Sequence, residues 1–197
     1  TEVTVAQSSS LDVPKPDEAA PKKMPWWAYL ILGLTAFALL VYLGLPVLLH
    51  ALGLHPSYDI PPFDLKSKRA LVITTSHGTL GETGRATGVF GSEMSVPYYA
   101  FLDAGMEVDI ASIEGGEIPV EPYSMGWPLA TPEDRRFTRD SEAMAKLNNS
   151  IPISQIDPTT YDVYYMAGGW GAAYDLAQSE ALAALITDAN ANGKVLG

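Results

Sequence analysis

A long apolar stretch near the start of the sequence constrains the fold more than any other feature. Residues 26–49 read WWAYLILGLTAFALLVYLGLPVLL and contain no charged side chain. A helix of this length covers roughly 36 Å, which is enough to cross a bilayer with some tilt. A secretory signal peptide usually has a shorter apolar core and a small-residue cleavage site, which LHALG at residues 49–53 matches poorly. We therefore predict one transmembrane helix over residues 26–50.

The residues that flank this stretch indicate how it is anchored. Trp26 and Trp27 form an aromatic pair at its start, and Lys22 and Lys23 precede them. Aromatic rings favour the membrane interface, and lysines next to a span favour the cytoplasmic side. Because basic residues at 66–69 lie farther from the span, we predict a cytoplasmic N-terminus and a periplasmic domain, in a bacterial inner membrane. Membrane lipid is the expected partner of the helix.

The charge and cysteine content exclude several classes of function. The 197 residues include 23 acidic and 12 basic side chains, a formal net charge of -11, and no cysteine. Nearly all the excess negative charge follows the apolar stretch, so we expect no nucleic-acid partner. Without cysteine, these residues hold no disulfide, no thiolate zinc site and no cysteine nucleophile. We predict no cofactor and no metal site.

The chain divides into four predicted segments. A polar tail rich in Ser, Pro and Ala covers residues 1–25, the transmembrane helix covers 26–50, and a Pro-rich linker covers 51–67. A globular domain then covers residues 68–197. A tail of this composition is seldom ordered unless something holds it. We therefore expect a protein partner, in a membrane complex, that contacts the tail and the span.

Alternating strand and helix patterns in the globular part predict a doubly wound parallel α/β sheet. Short runs rich in β-branched and other apolar residues are typical of strands buried on both faces. These runs predict strands at residues 69–75, 107–111, 161–167 and from 195 onward. Helical spacing predicts helices at residues 92–104, 132–147 and 176–192.

Three features could form part of a site. The Gly-rich loop at residues 76–88 lacks the Walker pattern, so we interpret it as a connection. The turn at Gly169 and Gly171 does not fit a dinucleotide fingerprint, but its backbone N–H groups could form an oxyanion hole. Glu93 follows the first loop, near the predicted carboxyl ends of the strands, and is a candidate carboxylate.

The histidines are weaker candidates for function. The chain contains His50, His55 and His77, and none has a second potential ligand at a helical or hairpin spacing. We therefore interpret them as interfacial or structural side chains and not as metal ligands.

Together these stretches resemble the ThiJ/PfpI superfamily, which has the class I glutamine-amidotransferase-like, flavodoxin-like fold. Within it, the chain is most similar to the branch of heat-shock chaperones and glyoxalase-type proteins. The resemblance covers residues 68–197 and rests on the order and spacing of several motifs. They are RALVITTSHG, Thr87-Gly88 with Glu93, Pro97 and Phe101, AGMEVDIASIEGGEIPVEP, and YDVYYMAGGWGAAYDL.

The resemblance implies a site that these residues contain only in part. In the family, the acid that corresponds to Glu93 hydrogen-bonds a cysteine on the elbow that follows the strand corresponding to GKVLG. The sequence stops at Gly197, before that elbow, and we expect the natural chain to continue. The family turn Gly-Gly-His-Gly reads Gly168-Gly169-Trp170-Gly171 here, which replaces a polar side chain by an indole. Glu93, Gly168, Gly169 and Trp170 therefore form a predicted vestigial or supporting site.

Three functions agree with these observations, and the sequence leaves open whether the protein is an enzyme. The first hypothesis is a non-catalytic pseudoenzyme that serves as an accessory subunit of a membrane complex of respiratory or photosynthetic type. The second is an anchored, cysteine-dependent glyoxalase, deglycase or hydrolase whose nucleophile lies beyond residue 197. The third is a holdase-type chaperone that uses exposed apolar surface. We take the first as the main expectation.

Overall fold

The structure, a computed structural model, describes residues 24–54 and 63–197. The chain separates into two units, Thr1–Val41 and Tyr42–Gly197. The predicted contacts of the tail before residue 24 and the predicted roles of Lys22, Lys23 and His55 lie outside the described residues.

Helix α1 spans Trp26–Ala51 and begins at the predicted aromatic pair. None of its residues is buried within the protein, and by length and composition it could cross a membrane. A signal sequence near an N-terminus meets the same criteria. The structure therefore confirms one apolar helix near the N-terminus.

A parallel sheet of five strands forms the centre of the second unit, which confirms the α/β fold class. Its strands lie in the order β5-β4-β1-β6-β7, and every pairing is parallel. Their bounds are Arg69–Thr74 for β1, Glu107–Ser112 for β4, Ile151–Pro152 for β5, Val163–Met166 for β6 and Val195–Leu196 for β7. A separate antiparallel hairpin joins β2, Thr79–Leu80, to β3, Arg85–Ala86.

Five α-helices accompany the strands within residues 63–197. Their bounds are Gly91–Asp103 for α2, Pro132–Phe137 for α3, Ser141–Asn148 for α4, Ala172–Asp175 for α5 and Glu180–Ala191 for α6. The helix predicted to begin at residue 176 begins at Glu180 instead. Ser179 sets this boundary, because its side chain accepts a hydrogen bond from the N–H of Leu182.

The prediction of one helix over residues 132–147 is wrong, since local capping divides it into α3 and α4. Thr131 and Asp134 form a reciprocal capping box that starts α3. The Asp140 carboxylate then accepts hydrogen bonds from the N–H groups of Glu142 and Ala143, at 3.0 and 3.2 Å. An aspartate that caps a second helix interrupts the first one, although both segments have helical composition.

Strand β1 contributes alternate side chains to two separate cores. Ala70 and Val72 pack on the face that α2, α3 and α4 cover, whereas Leu71 and Ile73 pack on the face that α6 covers. All four side chains are fully buried. Fully burying a Val, Leu or Ile side chain contributes about 1.5–3 kcal/mol, so Val72, Leu71 and Ile73 fix β1 from both sides.

This topology places a switch point, at which the strand order reverses, at the carboxyl end of β1. The strand lies between β4 and β6, so the chain leaves it on one side of the sheet and later returns on the other. Doubly wound sheets bind ligands where the strand order reverses in this way. The loops that follow β1 and β6 meet at this position.

Candidate active site

Glu93 and the glycine turn, residues 168–171, lie side by side at the carboxyl ends of β1 and β6. Glu93 is exposed in the first turn of α2, and the N–H of Phe90, just before the helix, donates to the carbonyl of Gly168 at 2.9 Å. A Cβ atom placed on Gly168 would lie 3.4 Å from Glu93 Oε2. The missing side chain at Gly168 therefore leaves the carboxylate directly beside the backbone of the turn.

The glycines of the turn are required because the backbone is pressed against its neighbours. Gly169 has φ +143°, and a Cβ atom there would lie 2.4 Å from the carbonyl oxygen of Gly88. A Cβ atom on Gly171 would lie 2.5 Å from the carbonyl oxygen of His77. No side chain fits at such distances, so this part of the sequence is dictated by close packing of backbone on backbone.

The turn also presents backbone donors. The N–H of Gly171 donates to Gly88 at 3.2 Å, so it is already used. The N–H groups of Gly168, Gly169 and Trp170 have no hydrogen-bond partner among residues 24–54 and 63–197. Donors that are fixed in place and free to bind an oxygen are the components of an oxyanion hole. An oxyanion hole at this turn stays a prediction.

A tyrosine on β6 lies close to Glu93. Burial raises the pKa of Tyr165, and the charge of Glu93 raises it further. The ring of Tyr165 also faces the end of β7, where a Cβ atom on Gly197 would lie 3.2 Å from it. Glu93 therefore lies close enough to Tyr165 on β6 for its charge to act on that side chain.

Asp175 ties the loop after β1 to the helix after the turn, and sequence reasoning missed it. Its carboxylate accepts hydrogen bonds from the Thr75 hydroxyl at 2.7 Å and from the Ser76 N–H at 2.8 Å. The Thr75 hydroxyl oxygen in turn accepts from the N–H of His77 at 2.8 Å. The position of an acid four residues after Gly171 was the only sequence signal for such a role. Nothing in the sequence identifies its hydrogen-bond partners about 100 residues earlier.

The three histidines differ in what the structure shows. His77 stacks on Tyr174, with ring centroids 4.4 Å apart and planes 13° apart, and its Nε2 atom contacts the carbonyl of Thr79. His50 lies in the last turn of α1, and His55 is outside the described residues. Within residues 24–54 and 63–197, no group of three or more His, Asp or Glu side chains could hold a metal ion.

The Gly-rich loop is more ordered than a plain connection. It contains the hairpin of β2 and β3, and the N–H of Thr87 closes it by donating to Gly78 at 3.0 Å. The Thr87 hydroxyl donates to Glu121 at 2.6 Å. Short strands of this kind escape prediction because their pattern covers only two residues each.

The parallel sheet, its switch point at β1 and an acid beside a glycine turn define a class of α/β proteins with a site at the strand ends. No family model matches the chain. A glutathione-independent glyoxalase of Schizosaccharomyces pombe, hsp3102, is 31% identical over 134 residues, which are 66% of this chain and 55% of that protein. Glyoxalase 3 of Candida albicans is 28% identical over 131 residues, again 66% and 55% of the two chains.

Two solved structures are also similar to this chain. The Rapid Encystment Protein 24 kDa of Francisella tularensis has a TM-score of 0.62 and 32% identity over 66% of this chain and 57% of that chain. Glyoxalase III of Candida albicans has a TM-score of 0.59 and 26% identity over 66% and 56%. The chain is a homologue of the glutathione-independent glyoxalases, and its resemblance to the ThiJ/PfpI superfamily is confirmed. The chain spans little more than half the length of these curated relatives.

The expectation of a non-catalytic accessory subunit is wrong. The homologues are named as enzymes, and their names agree with the second hypothesis, an enzyme of glyoxalase type. The first hypothesis relied on the polar tail, the apolar span, the missing cysteine and Trp170. None of these features outweighs the similarity to glyoxalases over two thirds of the chain.

Proposed function

We propose that the domain belongs to a glutathione-independent glyoxalase, an enzyme that converts a small 2-oxoaldehyde and water into a 2-hydroxy acid. The observation that carries the proposal is the position of Glu93 beside Gly168. Both lie at the carboxyl ends of the strands, where doubly wound sheets bind their ligands. The names of the homologues supply the reaction class.

The reaction balances without an external oxidant or reductant. A thiol adds to the aldehyde carbon, and the proton on that carbon then moves to the neighbouring keto carbon. The aldehyde carbon is thereby oxidised to a thioester and the keto carbon is reduced to an alcohol. Water hydrolyses the thioester, which releases the hydroxy acid and restores the thiol. Because the 197 residues contain no cysteine, the proposal requires the thiol of a cysteine outside them.

The described residues have two roles in this proposal. Glu93 carries the proton between the two carbon atoms, because its exposed carboxylate lies beside the glycine turn at the switch point of the sheet. The N–H groups of Gly169 and Trp170 stabilise the negative charge that develops on the substrate oxygen.

The test is turnover of methylglyoxal to lactate without glutathione by the complete natural polypeptide. Glu93→Gln keeps the shape of the side chain but removes its basicity, and we expect kcat to fall about 10²–10⁴-fold. Glu107→Gln is the matched control. Its carboxylate lies at the other end of the sheet, 3.3 Å from Arg69 Nε, in an exposed ion pair. Equal activity of the two variants would contradict the proposal.

We also propose that α1 anchors this enzyme in a bacterial inner membrane, with the N-terminus in the cytoplasm and the domain in the periplasm. The length and apolar composition of α1 support this location, and the lysines that precede it support the orientation. Lipid is then the partner of α1, and a protein partner could hold the tail at residues 1–25. Carbonate extraction and protease accessibility in spheroplasts test the location. Release of the domain by carbonate would contradict it.

A further inference from the structure

Two peptide bonds of the glycine turn present free N–H groups, and each is oriented through its own carbonyl oxygen. The carbonyl of Gly168 accepts a hydrogen bond from the N–H of Phe90 at 2.9 Å. The carbonyl of Gly169 accepts one from the N–H of Ala172 at 3.2 Å. A trans peptide is planar, so its C=O and N–H groups point in opposite directions. The bond from Phe90 therefore aims the N–H of Gly169, and the bond from Ala172 aims the N–H of Trp170.

The direction of the Trp170 N–H depends on where α5 lies, since Ala172 is the first residue of that helix. The N–H of Ala173 donates to the carbonyl of Trp170 at 3.3 Å. The N–H of Tyr174 donates to the carbonyl of Gly171 at 2.9 Å. These bonds make the turn and α5 one continuous segment, so a displacement of α5 rotates the peptide that carries the Trp170 N–H.

Asp175, the last residue of α5, holds that helix against the loop after β1. Its Oδ1 atom accepts a hydrogen bond from the Thr75 hydroxyl at 2.7 Å, and its Oδ2 atom accepts one from the Ser76 N–H at 2.8 Å. We call these two bonds the Asp175 clamp. The ring of Tyr174 also stacks on His77, with ring centroids 4.4 Å apart. A stack of two rings tolerates sliding, whereas two hydrogen bonds to one carboxylate fix distance and angle, so the clamp sets the position of α5.

The loop that receives the clamp is itself fixed to the sheet. Thr75 directly follows β1 and is fully buried. The Ser76 hydroxyl donates to the Ser112 hydroxyl at 3.0 Å. Ser112 ends β4, and its hydroxyl lies 2.8 Å from that of Ser150. The clamp therefore ties α5 to the carboxyl ends of β1 and β4.

We infer that Asp175 is a positioning residue, which acts through α5 to aim the Trp170 N–H at the substrate oxygen. The inference rests on the proposed function for the oxyanion hole, and it identifies what holds one of its two donors. The other donor, the Gly169 N–H, is aimed by Phe90 and should keep its direction when the clamp is lost. Both donors act on charge that develops only in the transition state, so loss of the clamp should lower kcat and leave KM unchanged.

The experiment measures methylglyoxal turnover by the complete natural polypeptide in detergent micelles. Asp175→Asn keeps the shape of the side chain but replaces one acceptor oxygen by an NH₂ group, and Thr75→Val removes the hydroxyl that donates to the carboxylate. Loss of an oxyanion donor costs about 10²–10³ in kcat, and this donor is displaced and not removed, so we expect each variant to lower kcat roughly 10–100-fold at unchanged KM. The double variant should be no slower than Asp175→Asn alone, because both changes break the same bond. Thr75→Ser keeps the hydroxyl and should retain the wild-type kcat.

Asp162→Asn is the matched control. Its carboxylate joins β1 to the residue before β6, since Oδ2 accepts a hydrogen bond from the N–H of Arg69 at 3.0 Å, but it does so at the amino ends of the strands. We expect this variant to lower the midpoint of urea unfolding and to leave kcat unchanged. An equal loss of kcat in the two Asn variants, an unchanged kcat in Asp175→Asn, or a loss in Thr75→Ser as large as that in Thr75→Val would overturn the inference.

Hydrogen exchange, followed by mass spectrometry, separates this inference from the proposed function because it needs no substrate. The N–H groups of residues 172–174 donate to the carbonyls of the turn. The peptide that covers them should therefore exchange faster in Asp175→Asn and Thr75→Val than in the wild type or in Asp162→Asn. If methylglyoxal is not converted at all, the proposed function fails. Faster exchange confined to this peptide would still support the hold of Asp175 on the turn, and unchanged exchange would overturn it.

Discussion

Replacement of Gly169 by alanine should destabilise the domain strongly, because the structure leaves no room for a side chain there. The added Cβ atom would lie 2.4 Å from the Gly88 oxygen and 2.6 Å from the Phe90 nitrogen, and both are backbone atoms that cannot rotate away. The φ angle of +143° is a second obstacle for any residue with a Cβ atom.

The expected cost adds these two effects. Backbone strain of this kind costs about 1–3 kcal/mol, and overpacking a tight site costs about 1–3 kcal/mol. The free energy of unfolding should therefore fall by about 2–6 kcal/mol. Gly116→Ala separates the two effects, since Gly116 has φ +79° but no atom within 4 Å of the added Cβ. It should lose only the strain, about 1–3 kcal/mol.

Urea unfolding of the chain in detergent micelles, followed by circular dichroism, measures both variants. The midpoint should fall further for Gly169→Ala than for Gly116→Ala, without a change in the slope. An equal loss in the two variants would refute the argument, because it would show that contact with Gly88 and Phe90 adds nothing to the strain.

Two further predictions concern side chains that hold local structure. Asp175→Ala leaves the Thr75 hydroxyl and the Ser76 N–H without their acceptor, so the free energy of unfolding should fall by about 1–3 kcal/mol in urea titrations; a loss no larger than that of Asp188→Ala, an exposed control in α6, would contradict this. Hydrogen bonds from the N–H of Ala143 and other groups lower the pKa of Asp140. A lowered folded pKa stabilises the protein above the unfolded value near 3.9 and loses that contribution as the pH falls through the folded pKa. Asp140→Asn should therefore be less sensitive to acid than the wild type in thermal unfolding between pH 5 and pH 2, and parallel curves would count against the prediction.

The sequence was sufficient to predict four strands of the parallel sheet, including the edge strand β7, but not the edge strand β5. β1 is a mostly apolar run of six residues and β4 alternates charged and apolar residues over its first four, and a pattern of that length indicates a strand. β5 is missing from the prediction because it consists only of Ile151 and Pro152, a pair too short to show alternation. The break between α3 and α4 depends on a single capping aspartate, Asp140, within otherwise helical sequence.

The site was predictable in outline because topology brings strand ends together. Glu93 and the turn at Gly169 both follow predicted strands. Because parallel strands have their carboxyl ends on the same side of the sheet, the two features are expected to lie near each other. The direct approach of Glu93 to Gly168 depends on backbone packing that no local pattern encodes. The Asp175 clamp on Thr75 likewise joins residues 100 positions apart, and one sequence alone does not reveal such a pair.

The most direct test of the proposed function is the product that the complete natural polypeptide forms from methylglyoxal in buffered D₂O without glutathione. Proton NMR follows both the disappearance of the aldehyde and the appearance of lactate. We predict lactate in an amount equal to the methylglyoxal consumed, and loss of this conversion in Glu93→Gln but not in Glu107→Gln. Methylglyoxal that persists at the rate of the buffer alone, or lactate formation that Glu93→Gln leaves intact, would contradict a glyoxalase site built on Glu93.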